Sequence, residues 1–342
     1  MDRHVTLEDV AKLAGVNKAT ASRALNPSSQ SLVNERTAGR VTEAAQTLGY
    51  VRNLTARSLR VKTTMTVGVI IPDLTNPIFP PMVRGIENYL SLHGYTVLMA
   101  DTDESAEAED KAITSLIERR VDGLIVATGT DDREAIPKLF SLGMPVVLAN
   151  RGAGKVQYPL VIGDDTAGIF AAVTHLKDLG HRKIVHITGP QNFSTTQNRA
   201  RAFTQACLEM KLTGRIIVAT GLRAEGGETV MDGELEKGRD FTAVVATTDL
   251  LALGALRSLR RHNLNCPKEV SVVGFNDMPF ADEFSPGLTT VRVPLNEIGE
   301  EAARLLVRRL GGEEVSAQAV TLPVTLVVRK STDVVQPIRG QL

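Results

Sequence analysis

The sequence predicts two kinds of fold in one chain: an all-α helix-turn-helix head over residues 1–49 and an α/β body over residues 63–336, built as two doubly wound parallel-sheet lobes. Three observations predict this. Residues 5–26 carry apolar positions at helical spacing on both sides of a turn. From Thr66 onward, nearly continuous apolar runs alternate with helical stretches, the pattern of parallel sheets covered on both faces. There are nine such runs, more than one small sheet holds, and 342 residues at 43% hydrophobic content can bury the cores of two or three domains.

The head begins with Leu7, Val10, Ala11 and Ala14, one apolar face of a first helix. Thr6 stands where an N-cap belongs, and Asp9 three positions on comes close to a capping box. Gly15 supplies the left-handed turn that ends this helix, and Asn17 can cap the next. The second helix buries Ala21, Ala24 and Leu25 and turns Lys18, Ala19, Thr20, Ser22 and Arg23 outward. Its small residues allow the close crossing that a helix-turn-helix needs. Such an outward face suits a DNA groove, because Lys and Arg donate to guanine edges while hydroxyls bond phosphates. Residues 5–26 alone leave one alternative, an amphipathic helical hairpin with a solvated face. After a polar loop, a third helix runs from about Asn34 to Leu48, with Val33, Thr37, Val41, Ala44, Ala45 and Leu48 as its stripe and Gly49 as its stop.

Residues 50–62 form the next unit. Arg52, Arg57, Arg60 and Lys62 flank a few apolar residues there, too few to build a core. A short helix over Asn53–Leu59 would be marginal alone, so the segment is either a linker or folds together with DNA and a second copy. Residues 1–62 carry ten Lys+Arg against five Asp+Glu, and the remainder carries 29 against 34. A basic head on an acidic body fits nucleic-acid binding by the head, although solvated surface charge explains a smaller asymmetry equally well.

In the body the strand candidates are Val67–Asp73, Val97–Asp101, Gly123–Ala127, Pro145–Arg151, Val161–Asp165, Ile184–Pro190, Ile216–Val218, Ala243–Asp249 and Val270–Asp277. Helical stretches such as Pro81–His93, Glu107–Arg120, Ala167–Leu179 and Leu250–His262 lie between them. In doubly wound sheets ligands bind beyond the carboxyl ends of strands, where Asp73, Arg151, Thr188–Pro190, Asp249 and Asn276 fall.

Catalysis finds no support in this chain. The six histidines show no ligand spacing, no Gly-rich phosphate loop follows the first strand, and Gly189-Pro190 is not a nucleophile elbow. Cys207 and Cys266 offer neither metal spacing nor a disulfide framework. We therefore expect no enzyme, no metal and no bound cofactor. No apolar signal core or membrane span is visible, which makes a cytoplasmic protein with no membrane partner the expectation.

The chain closely resembles the lactose-repressor (LacI/GalR) family of bacterial transcription regulators. The resemblance rests on Thr6–Ala11, Ala14–Val16, Thr20–Asn26, Leu48–Tyr50, Asp73–Pro77, Leu179–Ile184, Val272–Asp277 and Ser285–Val291, in order and spacing over more than 280 residues. That extent removes the hairpin alternative. It implies a homodimer whose two heads read a near-palindromic double-stranded operator. Lys18, Ala19 and Arg23 then occupy base-reading positions, and Thr6, Asn17, Thr20, Ser22 and Asn26 phosphate-contacting ones. Ala19 departs from the usual polar readers and offers only apolar contact. Asn53, Ala56, Arg57 and Leu59 match a hinge helix in the minor groove, with Leu59 as the wedge that unstacks a base step. The segment Asp333–Leu342, with its tail 337–342, is too short for the leucine-heptad tetramerisation helix of some relatives, so a dimer is the expectation.

The resemblance also makes the body periplasmic-binding-protein-like, with an N-lobe at about 63–163 plus 292–322 and a C-lobe at about 164–291 plus 323–336. It implies a cleft lined by Asp73, Asn76, Phe79, Arg151, Phe193, Thr195, Arg199, Arg223, Asp249 and Asn276. A small-molecule effector, a sugar or sugar acid, would bind there and control operator affinity allosterically, most simply as in a repressor. Arg199 is the strongest candidate in this set; Phe79 and Phe193 could instead be core aromatics, and Asp249 a cap between strands. Asn276 stands where most relatives have Asp, and Arg223 lies near the place of an aromatic lid. Loss of a carboxylate and gain of a guanidinium raise the case for an anionic effector.

Overall fold

The structure, a computed structural model, describes residues 5–26, 29–51, 63–129, 139, 142–152 and 158–336. Asn53, Ala56, Arg57 and Leu59 of the expected hinge, and the tail 337–342, lie outside the described residues. The chain divides into two compact units, 1–64 and 65–342.

The first unit holds α1 (Leu7–Leu13), α2 (Lys18–Ala24), a 3-10 turn at Gln30–Leu32 and α3 (Glu35–Leu48). Local chemistry fixes each start and stop. Thr6 and Asp9 form a reciprocal capping box, the Thr6 amide donating to the Asp9 carboxylate at 2.9 Å. The Thr20 amide donates to Asn17 Oδ1 at 2.8 Å, and the Arg36 amide to Asn34 Oδ1 at 2.9 Å. Gly15 and Gly49 both take the left-handed φ of +64° that a side chain disfavours. Val10, Ala21 and Val41 are fully buried where the three helices meet.

The second unit contains β1 (Thr66–Ile71), α4 (Phe79–Leu92), β2 (Thr96–Asp101), α5 (Ala106–Glu118), β3 (Gly123–Val126), β4 (Val146–Ala149) and β5 (Leu160–Gly163). It continues with α6 (Asp165–Asp178), β6 (Lys183–Thr188), α7 (Ser194–Glu209), β7 (Thr213–Val218), α8 (Ala224–Leu235), β8 (Ala243–Ala246), α9 (Asp249–Arg261) and β9 (Ser271–Asn276). Last come β10 (Thr289–Arg292), α10 (Leu295–Leu310), β11 (Ala319–Leu322) and β12 (Thr325–Val327). The strands make two six-stranded sheets, ordered β11-β5-β4-β3-β1-β2 and β12-β10-β9-β8-β6-β7. Every pairing is parallel except β10 with β12. The chain crosses between sheets at 163–165, 292–295 and 322–325.

Nine of the twelve strands coincide with the apolar runs of the sequence. The exceptions are β10, β11 and β12, which hold threonine among only three or four residues and so carry no continuous apolar run.

Helices α4 and α10 cover the first sheet through a crossing that glycine permits. A Cβ at Gly85 would lie 2.0 Å from the Asn296 carbonyl oxygen, and one at Gly299 2.0 Å from that of Met82. Helices α8 and α9 of the second lobe repeat the device with Gly227 and Gly254. Gly299→Ala must therefore push two backbones apart. We expect a net loss of about 1–3 kcal/mol from overpacking, outweighing the roughly 0.5–1 kcal/mol that alanine gains in a helix. A thermal melt in which Gly299→Ala raised the midpoint would contradict this packing.

Candidate functional site

The head presents its candidate residues on one surface. Lys18, Ala19 and Arg23 are exposed on α2, while Thr20, Ser22 and Asn26 are half-buried beside them. Lys18 Nζ rests 3.1 Å from Glu8 Oε2, but both side chains are largely exposed, 64% and 75%. Such a pair holds about 0–1 kcal/mol and yields easily to a phosphate or a base edge. Thr6 and Asn17 both spend side-chain oxygens on capping helices, which places their polar atoms at the helix starts where a DNA backbone can be met.

In the body, the carboxyl ends of the two parallel sheets face one another across a cleft. The C-lobe side is built around Arg199 of α7, which is 4% exposed. Its Nε donates to Asp165 Oδ1 at 2.7 Å, and its Nη1 to the Thr247 carbonyl at 2.6 Å and to Asn276 Oδ1 at 3.3 Å. The guanidinium carbon lies 3.7 Å from the centroid of the Phe275 ring. Asn276 ends β9 with φ +113°, a left-handed conformation that turns its amide toward this arginine. Burial raises the Asp165 carboxyl, and the Arg199 charge offsets this only in part.

On the N-lobe side Asp73 accepts from the Thr75 amide and hydroxyl, at 2.8 and 2.6 Å. Burial acts to raise its pKa, but those bonds together with Arg223 outweigh it and hold the carboxyl below its usual value. Asn76 caps the next turn through the Ile78 amide. Arg223, Arg151 and Gly152 each carry a contact between the lobes. Arg223 donates from Nη2 to Asp73 Oδ2 at 3.2 Å and to Asp103 Oδ1 at 2.8 Å. The Arg151 guanidinium carbon lies 4.1 Å from the centroid of the Phe193 ring. The Gly152 amide donates to Ser194 Oγ at 3.0 Å. Thr195 is half-buried in the same first turn of α7.

Two expected cleft residues are placed elsewhere. Phe79, the first residue of α4, is 0% exposed and belongs to the apolar core. Asp249 is 1% exposed and ties β9–β10 to α9: its oxygens accept from the Thr290 hydroxyl and the Met278 amide. Burial pushes its carboxyl up to about 7, despite those two hydrogen bonds. Arg223 also needs correcting as an argument for an acidic effector, because two carboxylates already match its charge. Conversely, Asp165, Ser194, Thr247 and the pair Asp103-Glu104 belong to the site and were not selected from sequence. All but Ser194 follow the carboxyl end of a strand, so consistent use of the strand-end rule could have found them.

A helix-turn-helix head with a two-lobed body of this topology has many relatives. Residues 6–53 match the family described as bacterial regulatory proteins, lacI family, and residues 173–332 match a periplasmic binding protein-like domain. The HTH-type transcriptional regulator MalR of Streptomyces coelicolor is 36% identical over 346 residues, covering 98% of this chain and 98% of that protein. The chain belongs to the lacI family. Among solved lacI-family structures, the lac repressor dimer bound to operator and the anti-inducer ONPF superposes with a TM-score of 0.88 at 27% identity. That match covers 97% of this chain and all of the other. The complex of the transcriptional regulator CelR with cellobiose gives 0.74 at 31% identity, covering 96% of this chain and all of the other. Among the described residues no helix is long and apolar enough to cross a membrane, and no cluster of His, Cys, Asp and Glu could hold a metal.

Proposed function

We propose that this lacI-family chain is a homodimeric repressor whose two heads read a near-palindromic double-stranded operator. A neutral sugar held between the lobes controls that binding allosterically. One observation carries the effector class: each arginine of the cleft is matched by a carboxylate of the same cleft. Arg151 pairs with Glu104, Arg199 with Asp165, and Arg223 with Asp73 and Asp103. A sugar acid would have to break one of these pairs, whereas hydroxyls can bridge between donor and acceptor as they stand. Similarity to the transcriptional regulator CelR, solved in complex with cellobiose, supports the sugar class.

Control follows if the sugar binds the open and closed lobe arrangements unequally, with a coupling of typically ~1–3 kcal/mol. The test has two arms on the full chain. Duplexes selected from a random-sequence pool are expected to carry an inverted repeat, and their binding to change when the sugar is added. Titration calorimetry with matched neutral and acidic sugars is expected to give binding by a neutral member. Tighter binding by the acid would overturn the effector reading, and selection of duplexes without two-fold symmetry would overturn the dimeric one.

A further inference from the structure

We infer that Asp103 and Glu104 form an ionic clasp that holds the two lobes together. They are the only consecutive pair between β2 and α5 with left-handed backbone, φ +44° and +56°. Both are non-glycine residues in a region that glycine favours, and conformations of this kind persist where the surroundings impose them. Here the surroundings do so: the Glu104 amide donates to the Pro72 carbonyl at 2.8 Å, the Ser105 amide to that of Thr102 at 2.8 Å, and the Asp103 amide to Asp101 Oδ1 at 3.2 Å. The turn so fixed sends two carboxylates to two arginines at the lobe boundary, Arg223 of the C-lobe and Arg151 of the N-lobe. Asp103 meets Arg223, the residue that starts α8 of the C-lobe. Glu104 meets Arg151 at 3.4 Å, and Arg151 lies over Phe193 of the C-lobe. Beside the Asp103–Arg223 contact lies a cavity of about 420 Å³, lined by Asp103, Glu104, Leu222, Arg223 and Glu225 among others.

The two contacts differ in exposure, and this sets how the clasp works. The Arg151 and Glu104 side chains are 3% and 33% exposed, whereas those of Arg223 and Asp103 are 61% and 81% exposed. The outer contact is therefore screened by salt more strongly than the inner one. Closure has a salt-sensitive outer step beside a better shielded inner one. The effector control proposed above would act against this clasp, but the test below requires no effector.

Hydrogen exchange read by mass spectrometry on the full chain decides the matter. Residues 219–226 report the far side of the cleft, a peptide covering Gly152 reports the N-lobe amide that donates to Ser194 of the C-lobe, and the core strands β1 and β8 report that each variant is folded. Asp103→Asn with Glu104→Gln, changes made only in the N-lobe, are expected to speed exchange several-fold at 219–226 and at the Gly152 amide. Arg223→Gln is expected to do the same at 101–105. Wild type in about 1 M NaCl, where the screening length is ~3 Å, should behave like Arg223→Gln. Faster exchange confined to the lobe that carries the substitution, or none at all, would overturn the clasp. If the double variant also loses protection in β1 and β8, the salt titration of wild type and Arg223→Gln decide it alone.

Discussion

Arg199→Met is expected to lower the stability of the body by about 3–5 kcal/mol, the range for breaking a buried ion pair by removing one partner. Methionine keeps the apolar stem against Phe275 but leaves the Asp165 carboxylate, 8% exposed at its side chain, without its counter-charge. It also strips the donors from the Thr247 carbonyl and from Asn276 Oδ1, and each buried acceptor left unmade adds about 1–3 kcal/mol in its own right. The exposed Lys18–Glu8 pair, worth about 0–1 kcal/mol, sets the contrast. Urea unfolding followed by far-ultraviolet circular dichroism is the suitable measurement, since the chain has no tryptophan. Adding Asp165→Asn should recover part of the loss, because the stranded charge disappears. A single variant within about 1 kcal/mol of wild type would mean that this network does not hold the floor of the cleft.

The second large effect is a dependence on pH. Asp249 is pushed from the ordinary value of 3.8 up to about 7 by burial. The folded chain thus holds this proton more tightly than the unfolded chain. The stability it brings is complete below about pH 4 and is lost as pH rises toward and through 7. Asp249→Asn keeps the shape, can accept from the Met278 amide and donate to the Thr290 hydroxyl, and does not titrate. The difference in stability between the variant and wild type should therefore grow in the variant's favour from pH 4 to 8, by up to about 4 kcal/mol. His186, pushed down to about 4 by burial, works in the opposite direction in both proteins and cancels in the difference. A difference curve that stays flat across this range would show that Asp249 is ionised in the fold.

The part of the site that was legible in the sequence is instructive for where it stops. The cap residues Thr6 and Asn17 and the stop at Gly49 could be read directly, because each acts on backbone three or four residues away. Exposed Lys18, Ala19 and Arg23 followed from the same periodicity. In the cleft, the sequence names Arg199 and Asn276 separately but not as hydrogen-bond partners, and it passes over Asp165, which Arg199 holds. Phe79 and Asp249 were misplaced for a related reason. Strand ends and helix starts point toward the cleft in general, but whether a given side chain reaches its surface depends on what packs over it.

The sequence by itself determined the helical head, the alternation of strands and helices, and membership of the lacI family, since each is written in contiguous residues or in their order. Only the tertiary structure decided the electrostatics of the cleft. Arg199 meets Asp165 across 34 residues, Arg151 meets Glu104 across 47, and Arg223 meets Asp103 across 120 and Asp73 across 150. Parallel crossovers bring these strand ends together. The charge that remains for a ligand depends on pairing and burial there, which are properties of neighbours in space and not of neighbours in the chain.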